Sequence, residues 1–221
     1  MTELTPLRVE YPAADPASQP VVVERVASAD VDEEFARGVV RVVRDAYSVQ
    51  FGDNQVPLAV IQKQYDPDDI SSADLAKRQR TIISRIDSGN TQYWINRDES
   101  GELRGLSKIM MIAGLVYIGD VIVTPPWRGG VGGALLHAPL TAGGLPDRRK
   151  VALDAFEGSS VNEWYYNLGF RPEESWDVMH VGDYQLMTRR CSVPATIGAS
   201  GLARRLERRN PRLAAAHVAT G

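Results

Sequence analysis

"VTPPWRGGVGGALL", residues 123–136, is the stretch on which the reading of this chain turns. A β-branched run enters a Pro pair, an Arg and four glycines, then leaves into a leucine-rich segment. That order reads as strand, loop and helix. The first N–H groups of a helix lack intrahelical partners, and the helix dipole favours an anion beside them. Glycines there let a ligand approach the main chain and permit positive φ. Two phosphate loops fail the comparison. The nucleotide P-loop ends in Gly-Lys-Ser/Thr, which this segment lacks. The dinucleotide fingerprint needs G-x-G-x-x-G in a first βαβ unit, whereas "GGVGG" has another spacing and begins only at Gly129. On spacing alone, a merely structural turn stays open.

Upstream, "LVYIGDVIV" (115–123) is a β-branched strand. "TQYWIN" and "GELRGLSKIMMIA", joined by "RDESG", form an antiparallel hairpin. "VVVERVAS" (21–28) is the first strand. Asp30, three residues before Glu33, has the spacing of a capping box. Phe35, Val39, Val42, Val43 and Ala46 then repeat at helical spacing over 31–49. Ser71 or Ser72 caps a second helix, with Leu75, Gln79, Ile82 and Ile86 on one face and Gly89 at its end. Downstream, Pro139 is expected to kink or end its helix near His137 or Ala138. "KVALDAF" is the next strand, "VNEWYYNLGF" a short helix stopped by Gly169, and "SWDVMHV" and "YQLMTRR" the last strands.

The order β-α-α-β-β-β-α-β-α-β-β predicts an α/β (α+β mixed) fold, a twisted mixed sheet flanked by helices. Residues 1–20, with Pro6, Pro12, Pro16 and Pro20, read as an extended or disordered N-terminal arm, and 21–190 as the folded domain. Residues 191–221 read as an Arg-rich C-terminal tail, partly helical. Arg204, Arg205, Arg208, Arg209 and Arg212 stand there against Glu207. A solvated tail is the plain reading; nucleic acid, an acidic partner or a neighbouring subunit are the alternatives.

Bulk composition removes several classes. At 221 residues and 43% hydrophobic content, one sizeable core is affordable. A net charge of −3 argues against a whole-domain nucleic-acid binder. One cysteine builds neither a disulfide framework nor a Cys-rich zinc site, and His137, His180 and His217 have no ligand spacing, so no metal is expected. No apolar run approaches the roughly 18 residues of a membrane span, and the N-terminus lacks a signal pattern. The expectation is a cytoplasmic protein with no membrane partner.

The quoted stretch resembles the acyl-CoA loop of the GNAT superfamily of N-acetyltransferases, where a strand ending V-x-P leads to R-G-x-G-x-G and a helix starting A-L-L. "NEWYYNLGFRPEE" resembles the second signature, an Asn followed by Y-x-x-L-G-F, and "WINRDESGELRGLSKIM" resembles the strand pair with an acidic-Gly turn. The three occur in the family's order across residues 21–190. "RGGVGG" departs from the loop pattern. Either the loop is one residue shorter, with Gly130 and Gly132 matching the last two family glycines, or Val131 stands at a glycine position.

The resemblance implies acetyl-CoA as cosubstrate and direct acyl transfer to an amine, small molecule or protein, without a covalent enzyme intermediate. It places the cofactor on Ile122, Val123, Arg128, Gly129, Gly130, Val131, Gly132, Gly133, Ala134 and Asn162. A backbone N–H near Ile122 or Val123 would meet the acyl oxygen, and Arg128 the phosphates. Tyr165 is the candidate acid, with Tyr166 as fallback. Asp120, the only acid of the central strand, is the candidate base, raised in pKa by β-branched surroundings. Tyr117, Asp154 and Glu157 are lesser candidates. Cys191, just past the last strand and without a nearby His, is not needed. The alternative is a catalytically inactive GNAT-fold binding or assembly module, and homo-oligomerisation stays open.

Overall fold

The computed structural model describes residues 7–13, 19–50, 56–57, 59–61, 66–125, 130–181 and 183–220. Nine strands among them build one sheet: β1 (Leu7–Tyr11), β2 (Val21–Arg25), β3 (Thr91–Arg97), β4 (Leu103–Ile112), β5 (Leu115–Val123), β6 (Val151–Phe156), β7 (Arg171–Val181), β8 (Tyr184–Val193) and β9 (His217–Thr220). Their order is β7-β8-β6-β5-β4-β3-β2-β1-β9. β5 and β6 pair in parallel. Every other neighbouring pair is antiparallel. The predicted mixed sheet is therefore the observed one.

Helices flank it, among them α1 (Glu33–Gln50), α2 (Ser72–Asp87), α3 (Val131–Ala142), α4 (Asn162–Leu168) and α5 (Gly198–Arg209). Two apolar clusters lie on the two faces. Leu135, Leu136, Leu202 and Leu206 join Val116, Ile118, Val151 and Leu153 in one. Phe35, Val42, Ile82 and Ile86 join Tyr93, Ile95, Leu106 and Ile122 in the other. Burying each such side chain contributes about 1.5–3 kcal/mol, which fixes the helices to their faces.

Ile118 and Ile122 belong to opposite clusters. Residues four apart in a regular strand share a face. The switch is made at Gly119. Ile109 pairs with Ile118 and Lys108 with Asp120, so Gly119 is the extra residue of a β-bulge. The bulge turns Asp120 and Ile122 to the α1 face and leaves Val123 packed on the α3 face.

Several expectations are corrected. Leu7–Tyr11 is no loose arm: it pairs with β2 and β9, with Val9 fully buried. Residues 198–209 are not a solvated tail, because Leu202, Ala203 and Leu206 are buried against α3. Cys191 lies within β8, not past it, and is buried. Asp32 rather than Asp30 caps α1, its Oδ1 accepting the Phe35 N–H at 2.7 Å. Pro139 does not end α3 at His137; the helix runs through it to Ala142. Proline has no N–H for the carbonyl of Leu135, four residues back. The Ser107 hydroxyl of β4 donates to that carbonyl instead, at 2.7 Å.

Candidate functional site

β5 and β6 pair only from Val116↔Val151 to Ile118↔Leu153. Beyond that point β5 runs on to Val123 and β6 to Phe156 with no pairing between them. The bulge at Gly119 sits where they part. Beside the parting lies a cavity of about 490 Å³, lined by Val121, Ile122 and Val123 of β5, Gly130, Gly132 and Gly133 at the start of α3, and Trp164 and Tyr165 of α4.

Gly130 is the N-cap of α3 at φ 98°, a left-handed conformation that glycine adopts without strain. Among the described residues no side chain caps the helix start. Ala134 donates its N–H to the Gly130 carbonyl at 3.1 Å. That N–H is therefore not free for a ligand, and the Val131 and Ala134 side chains pack into the core and do not line the cavity. Gly132 and Gly133 differ from Gly130. A Cβ added at Gly132 would lie 3.7 Å from Val123 Cγ2, and one at Gly133 3.7 Å from Leu213 Cδ1. Both are ordinary contacts, so packing among the described residues gives no reason for glycine at either position. Arg128 and Gly129 lie outside the described residues.

Tyr165 is 8% exposed and borders the cavity, its ring against Trp164 and Phe170. Among the described residues no group hydrogen-bonds its hydroxyl. Burial, then the charge of Asp120, pushes its pKa above the ordinary phenol range. The bulged strand thus brings Tyr165 and Asp120 within electrostatic reach across the parting of the sheet. Tyr166 is exposed and does not line the cavity. Burial likewise raises the Cys191 thiol, against any nucleophilic use.

Asp120 has polar company rather than the β-branched surroundings expected. It forms an ion pair with Lys108 directly across β4, and the Tyr47 hydroxyl lies 3.5 Å from its Oδ1. The lesser candidates are engaged among themselves. The Tyr117 hydroxyl donates to Asp154 Oδ2 at 2.7 Å, and Arg190 pairs with the same carboxylate. Burial and that carboxylate raise the Tyr117 phenol. Glu157 is exposed. Asn162 donates from Nδ2 to the Phe156 carbonyl at 2.8 Å, tying α4 to the end of β6, and does not line the cavity.

On the α1 face a second groove of about 700 Å³ reaches Asp120. Tyr47, Asp66, Asp69, Asp74, Arg78 and Lys108 are among its walls. The loop 48–69, whose acidic and aromatic residues are the sequence's expectation for a cationic amine, lies partly outside the described residues, at 51–55, 58 and 62–65.

The C-terminal segment was missed as part of the site. Leu206, Arg209, Asn210 and Leu213 form a wall of the first cavity. A signal existed: Leu202, Ala203 and Leu206 lie on one helical face, which marks a packed helix rather than a solvated one. Among the described residues no helix is long and apolar enough to cross a membrane.

No family sequence model matches the chain, and no curated protein matches it by sequence. Solved structures match by fold. An N-acetyltransferase from Staphylococcus aureus Mu50 is 10% identical with a TM-score of 0.54, over 79% of this chain and 98% of that one. The PaiA N-acetyltransferase from Thermoplasma acidophilum, in complex with coenzyme A, is 15% identical with a TM-score of 0.51, over 76% and 97%. A candidate acetyltransferase of the GNAT family from Desulfovibrio desulfuricans is 14% identical with a TM-score of 0.50, over 79% and 99%.

Proposed function

We propose that this chain, which has the fold of the GNAT N-acetyltransferases, transfers an acetyl group from acetyl-CoA to an amine by direct attack. One observation carries the reading: β5 and β6 part after Ile118 and Leu153, and the cavity beside the parting is lined by Gly132 and Gly133, which no contact among the described residues demands. A diphosphate lying against the main chain supplies the missing reason for those glycines. The uncapped start of α3 offers N–H donors and a favourable dipole to the same group.

Acetyl-CoA would supply the acyl group as a thioester whose sulfur leaves as a thiolate. The open edge of Gly119–Val123 holds backbone donors that β6 does not use, and we assign the acyl oxygen to Ile122 and Val123. Tyr165 holds its proton through neutral pH and gives it to the departing sulfur. Asp120, oriented by Lys108 and Tyr47, takes the proton of the attacking amine. The amine, on a small molecule or a protein, enters by the second groove, so donor and acceptor meet from opposite faces of the sheet.

Tyr165→Phe tests the acid. Turnover falls by about 10² or more, the usual contribution of a positioned general acid, while acetyl-CoA affinity holds. Unchanged turnover removes the assignment. Failure of the wild type to bind acetyl-CoA at millimolar ligand overturns the enzyme reading and favours a binding module.

A further inference from the structure

We propose that the C-terminal segment supplies half of the phosphate site, with Arg212 and Arg209 clamping the diphosphate of coenzyme A over the start of α3; this rests on the acetyltransferase reading above.

Placement comes first. The segment is pinned at both ends over the glycine loop. In α5, the Glu207 carboxylate meets His137 Nε2 at 3.0 Å, and the Nδ1 of that buried ring meets the Tyr11 hydroxyl at 3.0 Å. After α5, β9 pairs with β1. The 3-10 turn Pro211–Ala215 is held between these anchors. It lies directly on the helix start: Arg212 Nη2 is 3.8 Å from where a Gly130 Cβ would be, and Leu213 is in contact range of Gly133. Arg209 borders the same cavity.

Charge comes second. Arg209 Nε donates to the Asn167 carbonyl at 3.2 Å, and Arg212 Nε to Asn210 Oδ1 at 3.3 Å. Both acceptors are neutral, and among the described residues the outer guanidinium nitrogens make no hydrogen bond. Among the described residues neither Arg makes an ion pair. Glu207 is the only carboxylate of residues 198–220, and it is turned to His137. Two uncompensated cations therefore stand beside the positive end of a helix dipole. A guanidinium fork fits phosphate oxygens in a bidentate manner. The main chain of Gly130–Gly133 and the two arginines then grip one anion from two sides.

The experiment is calorimetric titration of wild type and the Arg209→Gln/Arg212→Gln pair with two probes, coenzyme A and S-acetylpantetheine, which lacks phosphates. Coenzyme A should bind the pair at least about tenfold more weakly, as expected for lost charge-assisted bonds, while S-acetylpantetheine binds both proteins alike. Coenzyme A affinity within about twofold of wild type overturns the inference. So does a loss shared equally by S-acetylpantetheine. If the pair fails to fold, a salt series on the wild type decides. Coenzyme A affinity should fall steeply with ionic strength and S-acetylpantetheine affinity should not; equal slopes overturn the proposal. A wild type that binds neither probe is a separate result, and it removes the acetyltransferase reading together with this one.

Discussion

The two ends of α3 obey different rules. Its C-terminal half is jammed: Leu135, Leu136 and Ala138 are fully buried, His137 is bonded on both ring nitrogens, and a Cβ at the flanking Gly143 would lie 2.3 Å from the Pro139 carbonyl oxygen. Its N-terminal turn is loose. Gly132 and Gly133 could each carry a methyl group in ordinary contact with the protein. Glycine inside a helix costs up to about 1 kcal/mol relative to alanine. Two such residues, with no packing reason among the described residues, fit the ligand proposed above. One end of the helix is shaped by the fold; the other, on the proposal above, is shaped by a ligand.

Substitutions at the two ends should therefore separate stability from binding. Leu136→Ala removes a fully buried side chain from the jammed half and should destabilise by about 2–5 kcal/mol in denaturant titration, with coenzyme A affinity preserved wherever the protein stays folded. Ser107→Ala withdraws the only donor described for the carbonyl that Pro139 leaves unserved, and should cost about 1–3 kcal/mol by the same measurement. A cost near zero would show that the Leu135 carbonyl has another partner. Gly132→Ala should behave in the opposite way. Its melting temperature should hold or rise, worth up to about 1 kcal/mol, while acetyl-CoA affinity falls. If Gly132→Ala destabilises the protein instead, the contrast between the two ends is wrong.

The parts of the fold that follow local pattern were legible in the sequence. Helical spacing in 31–49 and β-branched alternation in 115–123 placed α1 and β5, and the parallel step between β5 and β6 followed from strand, helix and strand in succession. What was not legible depends on distant partners. Leu7–Tyr11 is short and flanked by prolines, and its strand character comes from pairing with β2 on one side and with β9, more than 200 residues away in the chain, on the other. Pro139 stays helical because Ser107, on another element, serves the carbonyl it abandons. Asp120 was placed on the right strand, but its ion pair depends on a bulge that brings Lys108 opposite it. Val131, Ala134 and Asn162 match the motif, yet their side chains serve the core or the end of β6. The arginines of α5 and the following turn read as a solvated surface because a basic stripe does not say what its apolar side will cover.

The central claim is that the cavity beside the parting of β5 and β6 takes a coenzyme A thioester against the glycines of α3. Calorimetric titration of acetyl-CoA into the wild type and into Gly132→Ala tests it most directly. The account predicts binding by the wild type, and binding weaker by roughly tenfold, about 1.4 kcal/mol, in a variant that melts no earlier. Equal affinity in the two proteins, or no binding by either, would contradict it.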